Sequence, residues 1–433
     1  MASPKPELKM KIHPTILYLC LWCCLAQTAG AQKKFTFTLA NPLPEARIDE
    51  LIVLQRTAIA AKAGVDFKGK LPIFRNEKGG ALPSQTDDLD GDGQWDEVAL
   101  LVSFGPSERF KAKVTWAAPE QMPQFPVRTQ ARLAKLTNGV FVPIVKETIP
   151  PGHKPTDFST TKLPLYQVEG PTWENDKVGF RLYFDERNGK DIFGKTQPAL
   201  VLDKVGLPGG DYHTKSDWGM DVLKVGASLG AGAVAIITKN DRGEETLARL
   251  GDKVGQTSYS LVCQGPVRAI FRLKYENWQV SGQENYQLVD EISIVAGQYG
   301  YESKLTLSGF AGERQLVTGI VNLYSDQATH AGNDQYALLA THAKQSENKD
   351  RLGMGIVVAN ADFAGYGQTP ETGPEKVLQT YFVKLKVKEN QSVKYRFYAG
   401  WEASDPRFEK AASFEKLLHF EAKKIFSPIE IVW

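Results

Sequence analysis

Beyond residue 24 the chain holds a single cysteine, Cys263; the other three, Cys20, Cys23 and Cys24, sit in a short N-terminal stretch. With that stretch set aside no intrachain disulfide can form, so the fold has to stand on core burial alone, for which about 400 residues are ample. An excess of charge of either sign is missing too. Residues 1–31 contain three Lys and one Glu of the 52 basic and 50 acidic residues, which leaves 49 of each in the remainder. No net field then draws in nucleic acid or a membrane surface. The apolar run from Ile16 to Ala26 is shorter than the ~20 residues of a spanning helix, and no other run is long enough, so no membrane span is expected. Nucleotide, zinc and Ser/His/Asp-hydrolase signatures are also lacking. Gly226, Gly230 and Gly232 precede no Gly-Lys-Ser/Thr and read as close strand contacts or bulges. No organic cofactor is expected.

What is present at the N-terminus reads as an export leader. From Met10 a basic segment (Lys11, His13) leads into Ile16–Ala26 and the small-residue site Ala29-Gly30-Ala31, which predicts a signal cleaved after residue 31. Leu-Trp-Cys ahead of Cys24 lacks the small residues of a lipid-anchor site, so the expected address is the periplasm, with secretion second and lipid anchoring third. The remaining 32–433 read as one domain, with 32–120 as a candidate N-terminal sub-sheet.

Period-two alternation runs through that domain. In "KFTFTLA" Phe35, Phe37 and Leu39 share a face, and "IDELIVLQ", "WDEVALLVSF", "VRAIFRLKYENWQV" and "DEISIVAG" continue the pattern between Gly, Pro, Asn and Asp turns. This predicts an all-β fold, a large antiparallel β-sandwich rather than βαβ units. One helix is expected near the C-terminus, with Asp405 as cap, Pro406 in the first turn, and Phe414, Leu417, Leu418, Ala422 and Ile425 as its apolar stripe.

The densest chemistry lies in "GPTWENDKVGFRLYFDERNGKDIFGK", Gly170 to Lys195. Alternation sends Val178, Phe180, Leu182 and Phe184 to the core and Gly179, Arg181, Tyr183 and Asp185 to the other face, where they either meet water or line a site. Trp173, Glu174, Asn175 and Asp176 precede them, and Arg187, Asp191 and Lys195 follow. A sugar site needs this mixture: an aromatic plane for the ring and planar donors and acceptors for hydroxyls. Arg181 or Lys195 would suit a uronate carboxylate. Next comes "GGDYHTKSDWGMD", where Tyr212 and His213 share a Gly-rich loop with Trp218 and Asp221 close behind. His moves protons near neutral pH and Tyr serves as a general acid; the bland alternative is an exposed loop His. Farther on, Lys344, Gln345, Asp350, Trp401 and Glu402 belong to weaker clusters that could reach the same cleft. The inorganic signal is "DDLDGDGQWDE". Asp88, Asp90, Asp92 and Asp96 fall at positions 1, 3, 5 and 9 of a calcium loop, Gln94 at 7 offers a carbonyl, and Ala99 stands where an EF-hand has Glu. A structural Ca²⁺ in a β-turn and an acidic turn that binds nothing both remain open.

At these residues the chain resembles the exported proteins called domain of unknown function 4861. The likeness rests on "LPSQTDDLDGDGQWDEVAL", "GPTWENDKVGFRLYFD" with "DIFGK", "DYHTKSDWGMDVLKVGASLGAG", "QGPVRAIFRLKY" and "HAKQSENKDRLGMGI", in that order across the mature chain. It implies a β-sandwich like that of galactose mutarotase and several polysaccharide lyases, and a place in bacterial polysaccharide-utilisation systems handling uronic-acid-rich glycans. It implies no settled reaction. The chain departs from the family pattern at "YFDERNGKDIFGK", where a Gly commonly follows the Tyr and a second aromatic precedes the Lys.

These readings point to a protein acting on acidic oligosaccharides, by β-elimination or dehydration of a uronic acid. Arg181 or Lys195 would neutralise the carboxylate, His213 would take the C5 proton and Tyr212 would protonate the leaving oxygen. Trp173, Glu174, Asn175, Asp176, Tyr183, Trp218 and Asp221 would hold the sugar. A glycoside hydrolase with Glu174 and Asp221 as its carboxyl pair, a mutarotase-like epimerase and a non-catalytic glycan-binding module are the alternatives. The first reading requires Arg181 and Tyr183 to share one hollow with Trp173 and His213.

Overall fold

A computed structural model describes Met1 and residues 34–433, apart from 65, 66, 68, 241 and 283. The expected leader lies outside the described residues, Met1 aside. Strands dominate and pair antiparallel in five sheets. The expected all-β sandwich is the architecture observed. Its centre is a nine-stranded sheet that includes Lys146–Ile149, Arg268–Ser281, Glu284–Val295, Gly300–Ser308, Leu352–Ala359 and Ser392–Trp401.

Two further sheets face it side by side. One has six strands, from Gly219–Asp221 through Lys190–Lys195, Val178–Leu182 and Thr172–Asn175 to Thr129–Thr137 and Val140–Ile144. The other has five, including Ala231–Lys239, Glu313–Val321 and Thr380–Lys388, and a parallel bridge between Lys190 and Gly230 joins the two. The main core fills the space between these layers. Phe271, Leu273 and Tyr275 come from the nine-stranded sheet, Phe180 and Ile192 from the six-stranded one, and Ile236, Ile320 and Leu385 from the five-stranded one. Alternate residues of these strands point in, as in Phe271, Leu273 and Tyr275, with the period broken at bulges such as that between Ala231 and Val234.

Residues 35–117 build a smaller sandwich with its own core around Phe37, Phe74, Leu100 and Val114, and the closing strand Glu430–Val432 pairs with Phe35–Ala40. Between the two units lies the Ala411–Phe426 helix, preceded by a 3₁₀ turn, Pro406–Glu409, whose Asp405 accepts from the Arg407 N–H as a cap should. Its Phe414 and Leu418 press onto the outer face of the nine-stranded sheet, each burial stabilising by roughly 1.5–3 kcal/mol. Gly353 and Gly355 make that approach possible: a Cβ on either would lie 2.5 Å from Phe414 or Leu418. Among the described residues no helix is long and apolar enough to cross a membrane.

Candidate functional site

The Val178–Leu182 strand pairs with Lys190–Lys195 on one side and Thr172–Asn175 on the other, which sets Arg181 opposite Asp191, and Trp173 opposite Phe180. One face enters the main core. The other, which carries Arg181, meets neither open water nor an open hollow, because the chain after Lys195 folds back over it. Val201, Leu202 and Val205 pack on Phe193 and Val168, and Leu202 occupies the space a side chain at Gly179 would fill, 2.9 Å from that missing Cβ. The cover is held by Glu174, whose Oε1 accepts the N–H groups of Val201 (2.8 Å) and Leu202 (2.7 Å). Gln167 Nε2 also donates to the carbonyls of Asp203 and Val205 at 3.1 and 2.6 Å.

At the open end of this cover the polar residues converge on Arg181. Its side chain is 2% exposed, and Nη2 donates to Asp191 Oδ2 (2.7 Å), Asp221 Oδ2 (2.9 Å) and the Tyr183 hydroxyl (2.6 Å). Nη1 donates to the Tyr212 hydroxyl and the Val168 carbonyl, both at 3.3 Å. Tyr183 lies under two guanidinium groups, Arg181 at 4.4 Å and Arg187 at 4.0 Å from its ring centre, and Arg187 is itself tied to Asp185 and Glu169. The Asp221 N–H donates to the Tyr212 carbonyl at 2.8 Å, which fixes the loop against the edge strand. His213 then stands on the rim. Its side chain is 66% exposed, its ring lies 4.3 Å from that of Tyr212, and Nδ1 is 3.7 Å from Asp221 Oδ2.

Burial and the neighbouring Asp191 push the Asp221 carboxyl well above the usual range, against the pull of Arg181. Burial also works against the Arg181 charge, but Tyr183, Asp191 and Asp221 more than reverse it and hold the cation firmly. Burial raises the phenols of Tyr183 and Tyr212, so both keep their protons near neutral pH. The arrangement is a buried cation between two carboxyls, with a protonated phenol and an exposed imidazole at its mouth.

Arg181, Tyr183, Tyr212, His213 and Asp221 are thus brought together as the sequence suggested. Trp173 is not. It is wholly buried on the opposite face of the sheet, among Phe180, Phe271 and Tyr301, and offers no plane to a sugar. Glu174 and Lys195 form an ion pair at 2.5 Å, both without exposure; Lys195 also donates to the Asn175 carbonyl, and burial lowers its pKa. Asn175 caps a turn by donating to the Val295 and Gln298 carbonyls, and Asp176 is held by Arg128 and the Gly297 N–H. Trp218 packs against Phe193 at the edge of the cover. Nor is Arg181 free to receive a substrate carboxylate, since Asp191, Asp221, the tyrosine hydroxyls and the Val168 carbonyl already take its donors. The residue that sequence reading undervalued is Asp191, whose place opposite Arg181 follows from the short turn between their strands. Trp401 and Asp350 also come near: the Trp401 Nε1 donates to Asp350 at 2.6 Å, and Lys215, from the His213 loop, lies 5.4 Å over the Trp401 ring.

In the acidic loop, ligand oxygens of Asp88, Asp90 and Asp96 lie within 4.8 Å of one another, close enough to share one hard cation. Backbone N–H groups of Gly93 and Gly91 lower the Asp88 pKa. Asp92 turns instead to the Gln94 N–H and side chain, so its carboxylate does not join the cluster.

The family model described as "Domain of unknown function (DUF4861)" matches residues 39–431. A curated protein of Formosa agariphila, "Uncharacterized protein P7", is 22% identical over 446 residues, covering 97% of this chain and 99% of that one. Among solved structures, an alpha-mannosidase from Enterococcus faecalis aligns with a TM-score of 0.43 and 9% identity over 92% of this chain and 46% of its own. A protein in the glycosyl hydrolase family 38 from Enterococcus faecalis aligns with a TM-score of 0.47 and 9% identity, over 92% and 47%. The chain spans about half the length of these two solved structures.

Proposed function

The chain belongs to the family described as Domain of unknown function (DUF4861), and we propose that it is an exported, carbohydrate-active enzyme that cleaves uronic-acid-containing oligosaccharides by β-elimination at the Tyr212–His213 loop. The observation that carries this reading is the exposed His213 ring, with Nδ1 3.7 Å from the buried Asp221 carboxyl and its face against Tyr212. The imidazole lies beside the buried carboxyl without hydrogen-bonding it, and its exposure leaves it open to a substrate, as a base in a proton transfer must be. In the step proposed, His213 removes the C5 proton, the C4–C5 double bond forms, the C4–O bond breaks, and Tyr212 gives its proton to the leaving oxygen. Lys215, exposed two residues beyond His213, is the cation on this loop that can approach the uronate carboxylate. Arg181 acts as a positioning residue, binding Asp221 and the Tyr212 hydroxyl rather than the sugar. Glu174, saturated by Lys195 and the Val201 and Leu202 N–H groups, is not free to serve as a hydrolytic carboxyl.

The test is incubation with pectic, alginate and ulvan oligosaccharides while following the ultraviolet absorbance of a conjugated uronate. The wild type should generate it, and His213→Ala should slow it by about 10²- to 10⁴-fold, the usual contribution of a general base. New reducing ends without absorbance would assign hydrolysis instead. Binding without turnover across the panel, equally tight in His213→Ala, would make the protein a binding module.

A further inference from the structure

A cavity of about 350 Å³ lies between the outer face of the nine-stranded sheet, the Arg47–Gln55 strand of the small sandwich and the end of the Ala411–Phe426 helix. It shares no lining residue with the Tyr212–His213 site. Its charges come in short-range pairs. Arg47 donates to Glu50 and to the Ser427 carbonyl, each at 2.6 Å, and Lys424 lies 3.3 Å from Glu50 and 2.9 Å from Glu421. Lys394 and Arg396 both donate to Glu302, at 2.8 and 3.0 Å. Arg268, at the back, gives its guanidinium to Asp87 and Glu97, which do not line the cavity.

Two donors and one acceptor are left over, the acceptor being Glu50 Oε2, which is buried without a hydrogen bond. Arg47 is 1% exposed and its Nε is buried without a hydrogen-bond partner, a costly state for a charged group. Tyr398, 4% exposed, lines the same space, and its hydroxyl has no hydrogen bond among the described residues. Setting Arg268 aside, four cations (Arg47, Lys394, Arg396, Lys424) face three carboxylates (Glu50, Glu302, Glu421). The cations repel a metal ion and the carboxylates repel a phosphate dianion. Hydroxyl groups both donate to carboxylates and accept from Arg and Tyr, and one negative charge balances the odd cation. The volume falls within the ligand-pocket range, which starts at about 300 Å³.

We propose that this cavity binds a sugar acid of one or two rings, its carboxylate meeting Lys394 and Arg396, the accessible cations of the lining, and its hydroxyls meeting Tyr398, Glu302 and Glu421. The proposal stands apart from the elimination reading. A monomeric uronic acid has no glycosidic bond at C4 to lose, so its binding is read without turnover.

The experiment is calorimetric titration of the whole protein with galacturonate and glucuronate, with galactose and glucose as neutral counterparts and inorganic phosphate as a bare anion. The acids should bind, with the neutral sugars about tenfold weaker or more, since a charge-assisted bond is lost. Tyr398→Phe should weaken the acids about three- to tenfold, the loss of one hydrogen bond. Lys394→Ala, at an exposed position, should weaken them as well, whereas His213→Ala should leave affinity unchanged. Both cavity substitutions are mild, and unaltered melting of each variant confirms the fold. No binding of either acid overturns the proposal. So do neutral sugars or phosphate binding as tightly as the acids, affinity unmoved by Tyr398→Phe and Lys394→Ala, or affinity lost in His213→Ala.

Discussion

Arg181→Met probes the centre of the site. It removes a guanidinium that is 2% exposed and donates to Asp191, Asp221 and Tyr183 at 2.7, 2.9 and 2.6 Å. Two carboxyl groups, 1% and 3% exposed, are then left without a counter-ion. One-sided removal of a buried ion pair costs about 3–5 kcal/mol, a large part of the 5–15 kcal/mol that typically holds a domain together. The variant's deficit should also depend on pH. Asp221 has a raised pKa in the folded state, from burial and Asp191 against Arg181. A carboxyl raised in this way contributes stability that is present below its unfolded pKa of about 3.9 and lost as pH rises through the folded value. Removing Arg181 removes the pull that limits this loss, so the difference from wild type should be small in acid and grow toward neutral pH. Urea unfolding of both proteins across that range measures it. Adding Asp221→Asn to Arg181→Met should recover about 1–3 kcal/mol at neutral pH, the coupling expected of contacting groups. A deficit below about 1 kcal/mol at neutral pH, the level of a surface pair, or one unchanged between acid and neutral pH, refutes the reasoning.

Trp173→Ala should destabilise by about 3–5 kcal/mol, as loss of a buried indole does, without changing affinity for oligosaccharides; unchanged stability with lost affinity would return Trp173 to the site. Ca²⁺ on Asp88, Asp90 and Asp96 should raise the melting midpoint, an effect reversed by chelator and absent in Asp88→Asn; a transition indifferent to chelator would leave the loop an acidic turn.

Strand alternation made most of the sandwich legible, as in Val178 to Phe184, because the large apolar residues of one face meet the main core and turn residues mark the strand ends. The surroundings of the polar face were not legible. The cover comes from residues after Lys195, where Val201, Leu202 and Val205 follow no period, and its anchor, Glu174, reads in sequence as a sugar ligand. Trp173 was misplaced for a related reason: Glu, Asn and Asp beside it suggest a surface, whereas its register opposite Phe180 puts it in the core. The charged cavity escaped because Glu302, Lys394 and Arg396 occupy outward positions that read as solvated. Only packing of the small sandwich and the helix over that face encloses them.

A buried cation between two carboxyls is weak evidence for stability, since well-packed apolar groups of similar volume often do as well or better. That makes the cluster's purpose testable apart from its cost. In a triple variant, Arg181→Met with Asp191→Leu and Asp221→Leu, no charge is stranded, so stability should recover most of what Arg181→Met alone loses. The Asp221 carboxyl behind His213 and the Arg181 donor on the Tyr212 hydroxyl are nevertheless gone. If the cluster exists to aim those two groups, the stable triple variant should still lose elimination, through kcat more than KM, because the interactions removed orient the acid and base and do not hold the sugar. A triple variant both stable and fully active would reduce Arg181, Asp191 and Asp221 to scaffolding and leave His213 without a positioned partner.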